Sequence, residues 1–282
     1  MPFNAKAKDK SILTRPIGVF DSGLGGLTVL CEIKKALPAE NLIYFGDTAR
    51  VPYGAKSPKI VERYTMEIVN FLRSCGVKMI VIACNTSTAI AYKKVKKLVK
   101  MPVIGVIEPA CALACQVSRS GRIGVIGTKI TIQSGAYPEK LHALNPDIKA
   151  FQKECPLFVP LVEEGMIEGQ IIDLVAGQYL KEFKGSDIDA LILGCTHYPL
   201  ISEAIAKASG PGVRIINSAV QTAAAVKNTL SSLGILNTSK KQGRRRYYLT
   251  DASVNFIRTG EQFLNEKMEN IKVVKVWDIL LQ

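Results

Sequence analysis

Two cysteines stand at matching places in the 282-residue sequence, and their neighbours suit proton transfer. Cys84 and Cys195 each follow a short apolar run and precede polar residues. Inverting a stereocentre by proton transfer needs a base on one face of the substrate and an acid on the other, and a thiolate opposite a thiol supplies both. This chemistry needs neither oxidation nor a metal. The two cysteines are therefore the first candidates for a catalytic centre.

The residues after each cysteine suit the binding of an anion. Asn85 and Thr86 follow Cys84, and Thr196 follows Cys195, so each site has hydrogen-bonding side chains. A cysteine at a helix N-terminus meets unpaired N–H groups and the positive end of the helix dipole. Such a site binds a substrate carboxylate and lowers the pKa of a thiol. We therefore predict a carboxylate site with reactive thiolates.

Other roles for the cysteines remain open. Free cysteine is among the most buried residue types and often only fills space. Cys195 and His197 could ligate a metal, but the chain has two histidines and no C-x-x-C pair, so no metal site is expected. A disulfide between Cys84 and Cys195 would need close, correctly oriented cysteines and would leave their polar neighbours unexplained. The cysteines that we interpret as packing residues are Cys31, Cys75, Cys111, Cys115 and Cys155.

Two further loops carry candidate binding residues. The loop Asp21-Ser22-Gly23-Leu24-Gly25-Gly26 is glycine-rich but matches neither the dinucleotide-binding pattern nor a P-loop. Its glycines let backbone N–H groups approach a small anion. Asp21 could orient an ammonium group or a thiol, or could simply cap the next helix. A second loop, residues 47–54, reads Asp-Thr-Ala-Arg-Val-Pro-Tyr-Gly, although Pro-Tyr-Gly alone could be a turn.

Short apolar runs alternate with helical patterns along the chain. This alternation is typical of βαβ units and a mainly parallel sheet. Helices are predicted from Ser57-Pro58 to Gly76 and over Thr86–Lys100. The predicted strands are Ile17–Phe20, Leu42–Phe45, Met79–Ala83, Val103–Ile107, Ile123–Ile126, Leu157–Pro160, Ala190–Gly194, Val213–Ile216, Arg246–Thr250 and Val273–Val276.

A faint internal repeat connects these strands. Ile17-Gly-Val-Phe is echoed by Ile123-Gly-Val-Ile, and residues 79–86 are echoed by residues 190–197, with Cys84 opposite Cys195. The echoed segments occur in the same order in both halves of the chain, roughly 110 residues apart, which is the signature of an internal duplication. We therefore predict an α/β fold of two similar Rossmann-like units with mainly parallel sheets. The active site would lie in the cleft between them, at the carboxyl ends of the strands.

The repeat also suggests domain boundaries. We predict a first α/β domain of residues 1–108 plus 219–282 and a second of residues 109–218 inserted into it. The tail after residue 218 carries helix and strand patterns that need a sheet to join. The first ~14 residues are expected to be disordered, as chain termini often are.

Composition narrows the functional classes. Hydrophobic residues make up 48% and charged residues 22%, an ordinary globular balance. No signal-peptide core or membrane-length apolar run is visible, and seven cysteines, an odd number, favour a reduced, cytoplasmic protein. The net charge of +13 is scattered, including over Arg244 to Arg246, and matches no nucleic-acid motif. We expect neither a membrane nor a nucleic-acid partner.

Several segments together resemble the glutamate racemases of the aspartate/glutamate racemase family, over the chain from about Pro16 to near its end. Each segment is moderately specific, and the combination is highly specific. The segments are residues 20–29 (FDSGLGGLTV), 44–54 (YFGDTARVPYG), 83–87 (ACNTS), 155–164 (CPLFVPLVEE) and 193–200 (LGCTHYPL).

The resemblance implies roles for individual residues. Cys84 and Cys195 would be the two acid/base residues. Asp21 would assist Cys84, and His197 would assist Cys195. Glu163 would be a further helper, although its neighbour Glu164 is an alternative. The residues implied to line the substrate site are Asp21, Ser22, Tyr53, Gly54, Asn85, Thr86, Thr196 and His197.

The resemblance also implies a reaction and partners. Such enzymes interconvert L-glutamate and D-glutamate without a cofactor, supply D-glutamate for peptidoglycan and often form homodimers. Some respond to a cell-wall nucleotide precursor or bind DNA gyrase, and the residues here indicate neither. Two alternatives remain open: a racemase for aspartate or another acidic substrate, and a non-enzymatic binding module in which the cysteines only pack. A pyridoxal enzyme is disfavoured, since the pattern explains racemisation without a Schiff-base lysine.

Overall fold

The computed structural model describes residues 11–276, which form two parallel sheets with helices around them. The strands of the larger sheet are β1 (Ile17–Asp21), β2 (Leu42–Gly46), β3 (Met79–Ile82), β4 (Val103–Gly105), β9 (Arg245–Leu249) and β10 (Ile271–Val273). Those of the smaller sheet are β5 (Arg122–Gly127), β6 (Lys149–Glu154), β7 (Ala190–Gly194) and β8 (Arg214–Ile216).

The two sheets share one strand order. The smaller sheet runs β6-β5-β7-β8, and the larger contains the corresponding series β2-β1-β3-β4, extended by β9 and β10 beside β2. All of these pairings are parallel. The prediction of two similar α/β units is confirmed, and the echoed strands occupy equivalent places. The carboxyl ends of β3 and β7, which precede Cys84 and Cys195, are therefore equivalent edges.

Helices cover the sheets, and their bounds follow local signals. The helix α3 begins where predicted, with Pro58 in its first turn and the Ser57 hydroxyl accepting a hydrogen bond from the Ile60 N–H. The helices are α1 (Ser11–Thr14), α2 (Leu27–Ala36), α3 (Pro58–Ser74), α4 (Asn85–Leu98), α5 (Ile107–Val117), α6 (Lys129–Gln133), α7 (Ala136–Leu144), α8 (Phe158–Glu163), α9 (Gln170–Leu180), α10 (Ser202–Ser209), α11 (Ser218–Ser232) and α12 (Val254–Leu264).

The core explains why the central strands are apolar on both faces. In β1, Ile17 and Val19 pack with α2 and α11 on one side of the sheet, and Phe20 packs with the α3 layer on the other. After β8 the chain returns to the larger sheet, where α11 packs against α2 and β9 pairs with β2. Within residues 11–276, no helix is both long and apolar enough to cross a membrane.

Several local predictions were wrong, among them the last strand, which was predicted over Val273–Val276 whereas β10 spans Ile271–Val273. Residues 157–160 are not a strand, because Leu157 is half exposed while Phe158 and Val162, four residues apart, are buried on one side of α8. The strand β6 was missed because its sequence, KAFQKE, has no apolar run at this partly exposed sheet edge. The predicted disorder of the N-terminus falls mostly on residues 1–10, outside the described range, and Ser11–Thr14 form a helical turn.

A buried ion pair ties three distant segments to the larger sheet. Lys78 Nζ donates to the Leu13 carbonyl at 2.8 Å, to Glu40 Oε1 at 2.9 Å and to the Ile235 carbonyl at 2.9 Å. Glu40 also accepts the N–H of Asn237 at 2.8 Å. Both charged side chains are fully buried, so neither can exchange its partner for water. The pair therefore fixes the ends of several connections that lead into the sheet.

Replacing Lys78 by methionine should destabilise the protein strongly. Lys78→Met leaves the Glu40 carboxylate buried without its cation, which costs about 3–5 kcal/mol of unfolding free energy. The exposed Lys97 on α4 provides the control, and Lys97→Met should change stability by less than about 0.5 kcal/mol. Urea and thermal denaturation measure both. Equal midpoints for the two variants would show that Lys78 carries no structural charge pairing.

Candidate active site

Cys84 lies at the end of β3 and caps the helix α4. Its Sγ accepts the N–H of Ser87 at 3.4 Å and donates to the Ser22 hydroxyl at 3.8 Å. The side chain is buried. Burial raises the pKa of the Cys84 thiol to about 12, with the negative charge of Asp21 adding to the effect and hydrogen bonding with Ser87 and Ser22 opposing it. The predicted lowering of this pKa by the helix N-terminus is therefore wrong for the free protein, and Cys84 holds its proton.

Cys195 lies at the equivalent end of β7 but in a different local structure. It is followed by a 3₁₀ turn over Tyr198–Ile201, and α10 begins only at Ser202. The predicted helix N-terminus is thus absent at Cys195. A histidine takes its place: the Nδ1 of His197 lies 3.7 Å from Cys195 Sγ.

His197 connects Cys195 to a carboxylate. Its Nε2 lies 3.3 Å from Glu163 Oε1 at the end of α8. This approach is an ion pair rather than an aligned hydrogen bond, since Nε2 has no hydrogen-bond partner of good geometry in residues 11–276. Burial lowers the pKa of His197, but interactions with Cys195, Glu163 and Asp21 outweigh it and raise the pKa to about 10. The positive form of His197 is thereby favoured, and its ring lies directly beside the Cys195 sulfur.

Asp21 is completely buried beneath the site. Its Oδ2 accepts the N–H groups of Gly23 at 3.0 Å and Gly26 at 2.9 Å, and its Oδ1 accepts the Thr196 hydroxyl at 3.4 Å. The carboxylate thus organises the glycine-rich loop and reaches across to the other unit. Asp21 does not line the cavity. It is the one residue, among those implied to contact the substrate, that lies outside the cavity lining.

Two glycines allow the units to approach each other closely. A Cβ on Gly25 would lie 2.3 Å from the Thr196 hydroxyl, and a Cβ on Gly54 would lie 2.5 Å from Thr128 Cβ. Both distances are too short for any side chain. The loops after β1 and β2 therefore rest directly on the loops after β7 and β5.

A cavity of about 160 Å³ lies between the two units. This is below the roughly 300–1,000 Å³ typical of drug-sized ligands and suits a small metabolite. It is lined by both Cys84 and Cys195. The other sequence-predicted residues that line it are Ser22, Tyr53, Gly54, Asn85, Thr86, Thr196 and His197. Glu163 lies behind His197, and Glu164 is exposed.

Polar groups in this cavity are ready to bind a ligand. Asn85 accepts the hydroxyl of Tyr137 at 2.6 Å through its Oδ1, while its buried Nδ2 has no partner in residues 11–276. Such an unpaired buried donor favours a ligand oxygen. The Thr86 hydroxyl lies 3.0 Å from that of Thr128 and 3.1 Å from that of Thr131. The hydroxyl of Thr86 from the first unit thus lies against the hydroxyls of Thr128 and Thr131 from the second unit, beside the cavity.

Sequence reasoning missed Thr128, Thr131 and Lys129, of which Thr128 and Lys129 line the cavity. The internal repeat carried the signal, because β5 is the counterpart of β1 and its carboxyl end should face the same cleft as Asp21. Thr128 directly follows the end of β5, but only the strand itself was identified from the sequence.

Tyr53 contributes its ring rather than a free hydroxyl. The ring packs with Val61 and Cys84, while the hydroxyl donates a short hydrogen bond to the buried Asp47. Asp47 also accepts Arg50 Nε at 2.7 Å. The loop after β2 is therefore held rigidly against Cys84.

The remaining cysteines take no part in this cavity. All seven are free thiols, and Cys111 and Cys155 are buried. Residues 11–276 contain no cluster of three histidine, cysteine or acidic side chains that could hold a metal ion.

Known proteins share this sequence and fold. The family model described as Asp/Glu/hydantoin racemase matches residues 17–244. The chain is 46% identical over 262 residues to a glutamate racemase of Geobacter metallireducens, covering 93% of this chain and 97% of the relative. It is 47% identical over 253 residues to one of Aquifex aeolicus, covering 90% and 95%.

Solved structures agree. The glutamate racemase of Francisella tularensis in complex with D-glutamate superposes with a TM-score of 0.89 at 42% identity, covering 94% of this chain and 98% of the other. An aspartate racemase homologue from Pyrococcus horikoshii, at 16% identity and a TM-score of 0.54, shares the fold alone. The chain therefore belongs to the Asp/Glu/hydantoin racemase family and is a racemase.

Proposed function

We propose that this enzyme interconverts L-glutamate and D-glutamate without a cofactor, with one cysteine acting on each face of the α-carbon. The observation that carries the proposal is that Cys84 and Cys195, from equivalent strands of two units, line one small cavity. A base and an acid on opposite walls are what inversion by proton transfer requires. The similarity to a racemase that binds D-glutamate supports glutamate as the substrate.

The cavity offers complementary groups for an acidic amino acid. The free Nδ2 of Asn85 and the hydroxyls of Thr86 and Thr128 can donate to carboxylate oxygens. Lys129 at the cavity lining adds a positive charge. The positive His197 contributes in the same sense, so a substrate with two carboxylates is electrostatically favoured.

The proposed proton transfer uses the different surroundings of the two thiols. In the L-to-D direction, the thiolate of Cys195 removes the α-proton of L-glutamate while the His197 cation stabilises the charge on sulfur. The thiol of Cys84 delivers its own proton to the opposite face. Afterwards Cys195 is a thiol and Cys84 a thiolate, which is the state that deprotonates D-glutamate. Asp21 and Glu163 act on these states through Cys84 and His197.

The remaining expectations from the sequence are part of the same proposal. The two sheets would be the cores of two domains, residues 1–108 plus 219–282 and residues 109–218, of which 1–10 and 277–282 lie outside the described range. The product D-glutamate would serve peptidoglycan synthesis, and the enzyme would act in the cytoplasm as a homodimer. The family resemblance is what supports the physiological role and the dimer.

Purified protein should racemise glutamate and not aspartate. Circular dichroism should show optical activity of L-glutamate and of D-glutamate decaying to zero without added cofactor. Aspartate is one methylene shorter, so its side-chain carboxylate would not reach the same donors, and we expect at least about 10-fold lower kcat/KM. Equal or higher rates with aspartate would assign the enzyme to the other substrate, and inactivity with both would leave a binding module.

Serine at either cysteine should abolish both directions together. Cys84→Ser and Cys195→Ser each remove one of the two groups that every turnover uses, so kcat/KM should fall by at least ~10²-fold. The fall must be equal in the two directions, because the enantiomers have equal free energies and no mutation changes the equilibrium. The control is Cys31→Ser, at a half-buried cysteine away from the cavity. Initial rates near wild type in either serine variant would remove that cysteine from the mechanism.

The carboxylate of Glu163 should tune the pH dependence through His197. Glu163 raises the pKa of His197, so Glu163→Gln lowers that pKa and the imidazolium is lost at lower pH. The alkaline fall of kcat/KM should therefore move to lower pH relative to wild type with the same substrate. Glu164→Gln changes the same charge at an exposed position and should leave the profile in place. Shifts of equal size in both variants would contradict a specific pairing of Glu163 with His197.

A further inference from the structure

A buried hydroxyl beside Cys84 is left without a partner. Ser87, the third residue of α4, is fully buried, and its Oγ has no aligned hydrogen-bond partner in residues 11–276. Its backbone N–H already donates to Cys84 Sγ at 3.4 Å. The third position of a helix is one from which a side chain can turn back toward the capping residue. In α4 that capping residue is Cys84, so an unused donor lies next to a reacting atom of the proposed mechanism.

The protonation state of Cys84 decides whether this hydroxyl has an acceptor. As a thiol, Cys84 donates its proton to the Ser22 hydroxyl at 3.8 Å and accepts the Ser87 N–H. The Ser87 side chain opposes the rise in the pKa of Cys84, so its hydroxyl is within reach of Sγ. A thiolate has no proton to donate and only accepts hydrogen bonds. The Ser87 hydroxyl, which rotates about its C–O bond, can then donate to it.

Two observations separate Ser87 from Ser22. Ser22 lines the cavity, so a bound substrate can compete for its hydroxyl, whereas Ser87 lies outside the cavity lining. The Ser22 hydroxyl accepts from the thiol and must reverse its direction when that proton leaves. The Ser87 hydroxyl has no such bond to rearrange. It is therefore a donor that substrate binding leaves free for Cys84.

The titratable groups around Cys84 give such a donor a purpose. Asp21, Tyr44 and Tyr53 interact electrostatically with Cys84, and each is negative when ionised. We propose that Ser87 is a further functional residue, whose hydroxyl donates a hydrogen bond to Cys84 whenever Cys84 is a thiolate. The Ser87 proton stays on its own oxygen while Cys84 gains or loses the α-proton. Only the part of Ser87 in turnover rests on the proposed two-cysteine reaction.

Ser87→Ala removes this donor and keeps the backbone N–H. Initial rates of alkylation by iodoacetamide, followed by peptide mass spectrometry on the full chain at one mildly alkaline pH, compare Cys84 with Cys195 in the same sample. Losing a hydrogen bond to a charged group should lower the Cys84 thiolate population at least about 10-fold. The remaining thiolate is a stronger nucleophile, which offsets about threefold of that loss. The Cys84 rate should therefore fall by at least about 3-fold, while the Cys195 rate stays at its wild-type value.

Ser186→Ala is the matched control. Ser186 is a buried serine outside the cavity, and its hydroxyl donates to the Phe183 carbonyl at 2.6 Å. The control should lower the Tm, since one hydrogen bond is lost, and should leave both alkylation rates unchanged. Ser87→Ala should have a Tm no lower than wild type. An unchanged Cys84 rate in Ser87→Ala would overturn the proposal. An equal change at Cys84 and Cys195 would also overturn it, because the cavity as a whole would then have altered.

Turnover separates the hydrogen bond from the two-cysteine reaction. If the Cys84 thiolate acts in turnover, Ser87→Ala should lower kcat/KM for L-glutamate and D-glutamate by the same factor, about 3-fold or more, because part of the thiolate charge is present in the transition state. Slower Cys84 alkylation with wild-type kcat/KM would support the hydrogen bond and contradict the Cys84 step of the proposed reaction. Wild-type alkylation with slower turnover would contradict the hydrogen bond itself.

Discussion

The hydrogen bonds accepted by the buried Asp21 carboxylate hold the two walls of the active site in place. Through Gly23 and Gly26 they shape the loop after β1, and through Thr196 they reach the loop after β7. Each cysteine belongs to a different unit, so the cavity exists only while these loops touch. Gly25 makes the contact possible, since a Cβ there would overlap the Thr196 hydroxyl. A buried carboxylate and a missing side chain together bring the loops after β1 and β7 into contact.

Equivalent positions in the fold do not give the two cysteines equivalent chemistry. Cys84 caps a helix beside a carboxylate, and burial together with that negative charge keeps its proton in place. Cys195 precedes a 3₁₀ turn and faces the His197 cation. The duplication supplies two walls of similar shape, and the residues immediately after each cysteine then give the two thiols different surroundings.

The sequence predicted those parts of the fold and site that repeat or that follow strong patterns. The echoed apolar strands carried both cysteines to the right edges, and Ser57-Pro58 marked the start of α3. It did not predict β6, whose polar residues lie at a sheet edge, or the helical state of Leu157, where burial rather than composition decides. The pKa of Cys84 also escaped prediction, because a helix dipole is visible in sequence whereas the burial that overrides it appears only when both units pack. The place of Thr128 after β5 could have been inferred from the repeat, but its contact with Thr86 of the other unit could not.

The asymmetry between the cysteines has a consequence for the proposed reaction in the D-to-L direction. In the proposed reaction, L-to-D turnover starts from an enzyme form with a Cys84 thiol and a Cys195 thiolate. The proposed D-to-L turnover starts from a form with a Cys84 thiolate, which the raised pKa of Cys84 makes rare. Because L- and D-glutamate have equal free energies, kcat/KM must be equal in the two directions, so the rare form must react faster in proportion to its rarity. A thiolate whose conjugate acid has a high pKa is the stronger base and removes a proton faster. Burial and the negative charge of Asp21 thus make the Cys84 thiolate scarce and also make it a stronger base. Its scarcity lowers the rate of the D-to-L reaction and its basicity raises that rate, so the two effects offset each other.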